Sequence, residues 1–351
     1  MDVVRTVRTG IIGYGLSGRI FHAPFLRADP RFEIEVVSTS DSGRQREAHD
    51  QNPRAEVVSR PAEVLNRASD LDLVVLASPA HVHLEQGLAA IEAGCAVVID
   101  KPFAASVAEA EQLIAAAAGR RVPLVVFQNR RWDGDYRTIR AIVASGALGS
   151  IHRLESTFER WSPELRDRWK DTTPIARGGG ITFDLGSHLI DQALHLFGPA
   201  SVDSAELSVL RPGGVSDDEA FISLRHRSGV RSHLTLSRMA AQVGPRFRML
   251  GDRGAFVSSG LDGQEAALVS GLSPDHPEYG TTPEALWGAL GVAGAETPVP
   301  MERGDYGLFY AGVADSILHG APPPVDAAAA LAALAVIERV HEMAASGTAP
   351  R

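Results

Sequence analysis

One stretch near the N-terminus constrains this chain more than any other: Thr9-Gly10-Ile11-Ile12-Gly13-Tyr14-Gly15-Leu16-Ser17-Gly18-Arg19-Ile20. The apolar run ending in Ile11-Ile12 reads as a buried strand. Gly13, Gly15 and Gly18 then make G-x-G-x-x-G, and residues 19–28, with Ile20, Phe21 and Leu26, continue as a helix. That strand–turn–helix context is what a dinucleotide fingerprint requires. Gly13 permits the tight turn, Gly15 lets the backbone approach a pyrophosphate, and Gly18 lets the helix pack close to the strand. The helix N-terminus offers N–H groups and partial positive charge to the phosphates. A P-loop needs Lys and then Ser or Thr after Gly18, and Arg19-Ile20 stands there instead, which excludes it.

A chain of 351 residues that is 44% hydrophobic has core enough for two domains. Its net charge is −9 without a basic patch, which argues against nucleic acid as a partner. The N-terminal residues lack a signal peptide's apolar core. The longest run of small apolar residues, 327–337, is well short of the ~20 residues of a membrane span. Cys95 is the single cysteine, so neither an internal disulfide nor a cysteine-based metal cluster is expected, and the expectation is a cytoplasmic protein off the membrane. Lys101 and Lys170 are the only lysines among many arginines. Where a plain positive charge suffices this chain uses arginine, so a retained lysine draws attention to its titratable ammonium.

Along residues 1–128 strands alternate with helices. Strands are read at 33–40, 71–77, 95–99 and 124–127, and helices at 61–68, 83–93 and 106–118, with a polar helix or loop at 41–50. Ser106 is the predicted N-cap of its helix and Glu109 the capping-box partner. This rhythm predicts a parallel, doubly wound sheet. After Gln128 the pattern changes to a helix at 133–145 and alternating strands at 151–161, 204–210, 220–227, 230–237, 246–250 and 255–257. A further strand is expected near 297–303, then helices at 306–319 and 326–345. The second domain, 129–325, is therefore read as α/β with a large, open, predominantly antiparallel sheet. Residues 271–294 are rich in Pro and Gly and receive no assignment.

Two stretches carry candidate chemistry. Asp100-Lys101-Pro102 follows a parallel strand directly, at the carboxyl edge where such sheets bind ligands. A surface lysine at a strand end is the bland alternative; edge position and lysine scarcity favour the cleft. The second stretch runs from Gly178-Gly179-Gly180 to His195. A helix from Ile181 puts Asp184, His188, Asp191 and His195 in one stripe. Three readings stand: a solvated or hydrogen-bonded face, a metal ligand set, which lacks a second His or Cys cluster, or an acid–base pair in which a carboxylate orients a histidine. No metal is assigned.

These motifs together resemble the Gfo/Idh/MocA oxidoreductases: the glycine turn, Asp100-Lys101-Pro102 where Glu-Lys-Pro is usual, and Asp184-Leu185-Gly186-Ser187-His188. Phe21-His22-Ala23-Pro24, Asn129-Arg130-Arg131-Trp132-Asp133 and Arg166-Asp167-Arg168-Trp169 are similar to the branch of NADP-dependent scyllo-inositol dehydrogenases. The resemblance implies a Rossmann domain, with the helix at 326–346 packing back on it, and an open-sheet domain that makes a homo-oligomer, dimer or tetramer. It implies hydride transfer between a nicotinamide and a secondary alcohol or ketone of a cyclic polyol or sugar, with another sugar as the alternative substrate. Lys101, Asp184 and His188 form the implied catalytic set. Implied cofactor contacts are Gly13, Gly15, Leu16, Ser17, Gly18, Ser38, Thr39, Ser40, Arg44, Ser78, Pro79, His83, Asp100 and Lys101. Implied substrate contacts are Lys101, Asn129, Arg131, Trp169, Asp184 and His188. Two positions depart from the usual pattern: Asp100 is one methylene shorter than Glu, and Ala80 stands where Asn is common.

The end of the second strand addresses cofactor choice. Ser38, Thr39 and Ser40 can donate to a ribose 2′-phosphate and Arg44 can pair with it. Asp41 argues the other way, as an acceptor for a 2′-hydroxyl. The hydroxyl cluster, Arg44 and the resemblance favour NADP, with NAD as the alternative. A dinucleotide-binding regulator without turnover is the rival from another class, and it has no use for a lysine and a histidine set up for proton transfer.

Overall fold

Strands covered on both faces lose the polar–apolar alternation and read as solid apolar runs. Leu73-Val74-Val75-Leu76 is such a run, and all four side chains are fully buried, at about 1.5–3 kcal/mol of burial each. The structure is a computed structural model that describes residues 5–166 and 169–346, the side chains of Trp169 and Lys170 excepted. Strands β1 (Val7–Ile12), β2 (Phe32–Ser38), β3 (Glu56–Val58), β4 (Leu73–Leu76), β5 (Ala96–Asp100) and β6 (Leu124–Phe127) pair in parallel in the order β3-β2-β1-β4-β5-β6. The order reverses between β1 and β4, which opens a crevice at the carboxyl ends of those strands where dinucleotides bind in such sheets.

A π-helical turn, Ser17–His22, leads into α1 (Ala23–Ala28); the other helices of this sheet are α2 (Ser42–Gln51), α3 (Pro61–Leu65), α4 (His83–Glu92) and α5 (Val107–Arg120). Ser106 caps α5 as expected, its Oγ accepting from the Glu109 N–H at 3.3 Å. Glu109 reaches back to the Ala105 N–H at 3.1 Å, one residue earlier than a capping box has it. Ser106→Ala is expected to cost about 1 kcal/mol, read as a lower urea midpoint with an unchanged m-value.

The second sheet follows α6 (Gly134–Ser145) and incorporates β7 (Ile151–Glu159). After α7 (Trp169–Thr172) and α8 (Ser187–Phe197) come β8 (Ala200–Ser208), β9 (Glu219–His226), β10 (Arg231–Ser237), β11 (Phe247–Gly251), β12 (Ala255–Ser258), β13 (Gly288–Gly291) and β14 (Thr297–Val299). Their order is β14-β13-β12-β11-β7-β10-β9-β8, antiparallel throughout except for β7 beside β10. The predominantly antiparallel expectation therefore holds, with one parallel pair inside it. Strand β7 alternates: Leu154, Ser156 and Phe158 are buried, while on the other face Glu155 bridges Arg153 and Arg248. Helix α8 packs on the inner face against β7 and β10.

Late in the chain come α9 (Gln264–Val269), α10 (Gly307–His319) and α11 (Ala327–Ala345). One compact unit consists of Met1–Asn129, Gln264–Tyr279 and Asp305–Leu331; the other of Arg130–Gly263, Gly280–Gly304 and Ala332–Arg351. Within the first, α10 lays Phe309 edge-on to Phe127 and Tyr310 edge-on to Phe32. Helix α9 and strand β13 occupy the stretch the sequence left unassigned or next to it.

Candidate active site

In the first unit, the glycine turn has the geometry its sequence demanded. Gly13 has φ of +95°, and a Cβ there would lie 2.7 Å from the Ala77 carbonyl oxygen. A Cβ at Gly18 would collide with the Gly13 carbonyl oxygen. Gly15 is different: nothing lies within 4 Å of the place its Cβ would take. Two glycines are thus fixed by the turn itself, and the middle one opens onto space at the start of a helix, which is the cradle a pyrophosphate requires. Ser17 begins the π-turn, and Leu16, 50% exposed, marks the outer rim.

At the end of β2 the three hydroxyls separate. Ser38 and Thr39 are buried, Ser40 and Arg44 exposed. Asp41 caps α2, its Oδ1 accepting from the Arg44 N–H at 2.8 Å. The carboxylate that argued for NAD is thus partly engaged with its own helix.

The ends of β4 and β5 are held together by a histidine. His83 is fully buried; its Nε2 lies 2.8 Å from the Ser78 carbonyl oxygen and its Nδ1 3.1 Å from that of Phe103. Burial pushes this imidazole down, against the pull of those carbonyls and of Asp100. His83 thus braces the Ser78-Pro79 loop against the turn that carries Lys101, whose peptide to Pro102 is cis. Ser78 donates its hydroxyl to Gln86 at 2.7 Å, and Asp100 accepts from the Lys101 N–H at 2.8 Å. Lys101 is half-buried. Nearby, the His22 ring packs tilted against Phe127 with centroids 4.3 Å apart, and its Nδ1 is 2.6 Å from the Tyr310 hydroxyl. Burial drives its pKa down to about 4, only partly offset by Asp100, so the ring is neutral at pH 7. Asn129, buried, ends the first segment of this unit.

In the second unit the helix expected from Ile181 forms, but its first turns are π-helical, Thr182–Gly186, before α8 begins. Such a turn is wider than an α-turn and is found disproportionately at functional sites. Its start is pinned by Asp217, whose Oδ2 accepts from the Thr182 N–H at 2.8 Å and the Thr182 hydroxyl at 2.6 Å. Gly180, φ +100°, makes this possible, because a Cβ there would collide with the Asp217 carboxylate.

The four residues of the predicted stripe have separate surroundings. Asp184 accepts from Arg238 Nη2 at 2.7 Å. His188 is buried in the first turn of α8. Asp191 is gripped by Arg131 through two hydrogen bonds of 2.7 and 2.6 Å, both side chains under 10% exposed. His195 has its Nδ1 2.7 Å from the Tyr136 hydroxyl, and burial with the charges of Arg131 and Arg140 lowers it to about 4. Asp191 and His195 therefore anchor the helix, the former to the Asn129–Trp132 turn. Gln192 ties the same turn down by donating to the Arg130 carbonyl at 2.8 Å. Arg131, expected at the substrate, gives two of its donors to this pair. Trp169 opens α7, and its side chain lies outside the described residues. Among the described residues no group of three or more His, Cys, Asp and Glu is arranged to hold a metal ion. Arg238, missed in the sequence, lies 54 residues from Asp184. Only the pairing of β10 with the π-turn's side of the sheet could have brought it forward.

Two family models match the chain: the GFO/IDH/MocA oxidoreductase family with an NAD-binding Rossmann fold over residues 7–128, and the GFO/IDH/MocA C-terminal domain over 136–257. Scyllo-inositol 2-dehydrogenase (NADP(+)) IolW of Bacillus subtilis is 34% identical over 97% of this chain and 94% of its own. D-apiose dehydrogenase of Paraburkholderia graminis is 31% identical over 68% of this chain and 63% of its own. The solved structure of yvaA from Bacillus subtilis, in triclinic form, superposes with a TM-score of 0.92 at 33% identity, covering 99% of this chain and 98% of that one.

Proposed function

The chain belongs to the GFO/IDH/MocA oxidoreductases and is an NAD(P)-dependent dehydrogenase, and from that premise we propose that it oxidises a secondary alcohol of a neutral cyclic polyol, with scyllo-inositol the leading substrate and NADP the preferred cofactor. The observation that carries the cofactor half is the glycine cradle: Gly15 faces open space while Gly13 and Gly18 have none to spare. Those three residues hold the pyrophosphate, and the bound dinucleotide supplies the hydride acceptor. Similarity to an NADP-dependent scyllo-inositol dehydrogenase over nearly the whole chain supports the polyol half, and similarity to a D-apiose dehydrogenase over part of it supports a sugar as the alternative substrate.

In this reading the protein's own groups do the following. His188 takes the proton of the reacting hydroxyl. Lys101 is a hydrogen-bond donor that favours the negative charge developing on a substrate oxygen. Asp184 accepts from a neighbouring hydroxyl and fixes the ring's orientation. His83 holds the lysine-bearing turn, and Arg131 with Asp191 holds the histidine-bearing helix, so that neither reacting group has to be positioned at the moment of reaction.

For the 2′-phosphate the exposed partners are Ser40 and Arg44, because Ser38 and Thr39 are buried. Arg44→Ala is expected to lower kcat/KM with NADP by roughly tenfold, the scale of one charge-assisted contact, and to leave the value with NAD unchanged. A preference for NAD that ignores the substitution returns the choice to Asp41. The substrate class is tested by initial rates of NADP reduction at 340 nm across the inositols and a panel of aldoses. Turnover confined to aldoses replaces the inositol reading with a sugar dehydrogenase.

A further inference from the structure

We infer that the Asp184–Arg238 pair determines specificity at this site: Arg238 supplies a second hydrogen-bonding partner for an uncharged polyol, and Asp184 cancels its charge so that acidic sugars are not recruited. The inference rests on the reading that Asp184 meets the substrate.

The geometry is local to one unit. Arg238 follows the last residue of β10, and its backbone is fixed by a 2.9 Å hydrogen bond from its N–H to the Asp218 carbonyl. Asp184 is on the π-turn that packs beside β10. Close approach there is permitted by Gly186, whose Cβ would lie 3.2 Å from Leu236 Cδ1. The ion pair is short, 2.7 Å, and its side chains are 17% and 16% exposed. It is therefore desolvated enough to hold its geometry and exposed enough to meet a ligand. Only Nη2 of the guanidinium is used among the described residues, which leaves further N–H donors on the same fork.

A lone carboxylate would repel an acidic sugar, and a lone guanidinium would recruit one. Joined, they cancel in charge yet keep both kinds of hydrogen-bonding group. Adjacent hydroxyls fit this arrangement, one donating to the carboxylate and its neighbour accepting from the guanidinium. Two further arginines beside the helix are paired, Arg131 with Asp191 and Arg130 with Asp133.

The test is calorimetric titration of D-gluconate into protein saturated with NADP, alongside steady-state kinetics on scyllo-inositol. Asp184→Asn leaves the guanidinium uncompensated, and gluconate affinity is expected to rise at least tenfold over wild type. The double variant Asp184→Asn/Arg238→Met loses that gain. Arg238→Met alone raises KM for scyllo-inositol at least tenfold with a smaller change in kcat, and Arg238→Lys recovers part of it; a purely structural role would lower stability without that split or rescue. Equal gluconate affinity in wild type and Asp184→Asn overturns the inference. Wild-type turnover of scyllo-inositol by Asp184→Asn instead overturns the catalytic placement of Asp184, and the gluconate titration still reads the ion pair independently. Should Asp184→Asn fail to fold, the KM-against-kcat split in Arg238→Met decides alone, and an unchanged KM counts against the inference.

Discussion

Lys101→Arg is expected to lower kcat by about 100-fold or more, the usual scale for losing one well-placed electrostatic or proton-transfer group. The charge is retained, so a residue that served only as a surface cation would tolerate the change. The reasons for expecting loss are local. Lys101 is half-buried on a turn that His83 holds against the Ser78-Pro79 loop, so the backbone cannot shift to accommodate a larger head group. The guanidinium is wider than an ammonium, spreads its charge and keeps its proton at any working pH. Unchanged melting temperature with collapsed kcat is the predicted pair of results. Near-normal kcat makes Lys101 an ordinary strand-end lysine.

His188→Ala is expected to lower kcat by 10²–10⁴-fold, the range for a general base. The loss should shrink as pH rises, because hydroxide can take over part of the proton removal. Dinucleotide affinity, followed by protein fluorescence, should change little, since the glycine cradle and Arg44 belong to other elements. His188 is buried in the first turn of α8, and Asp191 and His195 anchor that helix further along. A large fall in melting temperature with a pH-independent loss of activity would make His188 a packing residue.

The parallel sheet was legible because its strands are covered on both faces and its turns are punctuated by glycine and proline. Leu124–Phe127 appears with the expected limits, β4 and β5 lie within two residues of theirs, and β1 ends at Ile12 as read. The short edge strand Glu56–Val58 was not, since three half-exposed residues carry no periodic signal. Strand β13 begins at Gly288, where a Cβ would collide with Phe256, so side-chain packing against β12 rather than propensity defines it. Helical spacing correctly grouped Asp184, His188, Asp191 and His195 on one helix but could not tell which are buried anchors. That division is set by Arg131, Tyr136 and Arg238, each brought in by tertiary structure from more than 50 residues away. The π-turn at Thr182–Gly186 was equally invisible: it depends on Asp217, which reaches back 35 residues to bind Thr182. The glycine fingerprint was legible for the opposite reason, because backbone conformation and a contact five residues apart determine it.

The central claim is direct hydride transfer from a polyol carbon to a nicotinamide held by the glycine cradle. It is tested by incubating the enzyme with NADP and scyllo-inositol deuterated at carbon, then measuring deuterium in the reduced cofactor by mass spectrometry. One deuterium per NADPH, accompanied by a slower rate than with unlabelled substrate, is the predicted result. Reduced cofactor free of deuterium, or no reduction with any inositol or aldose, would contradict it.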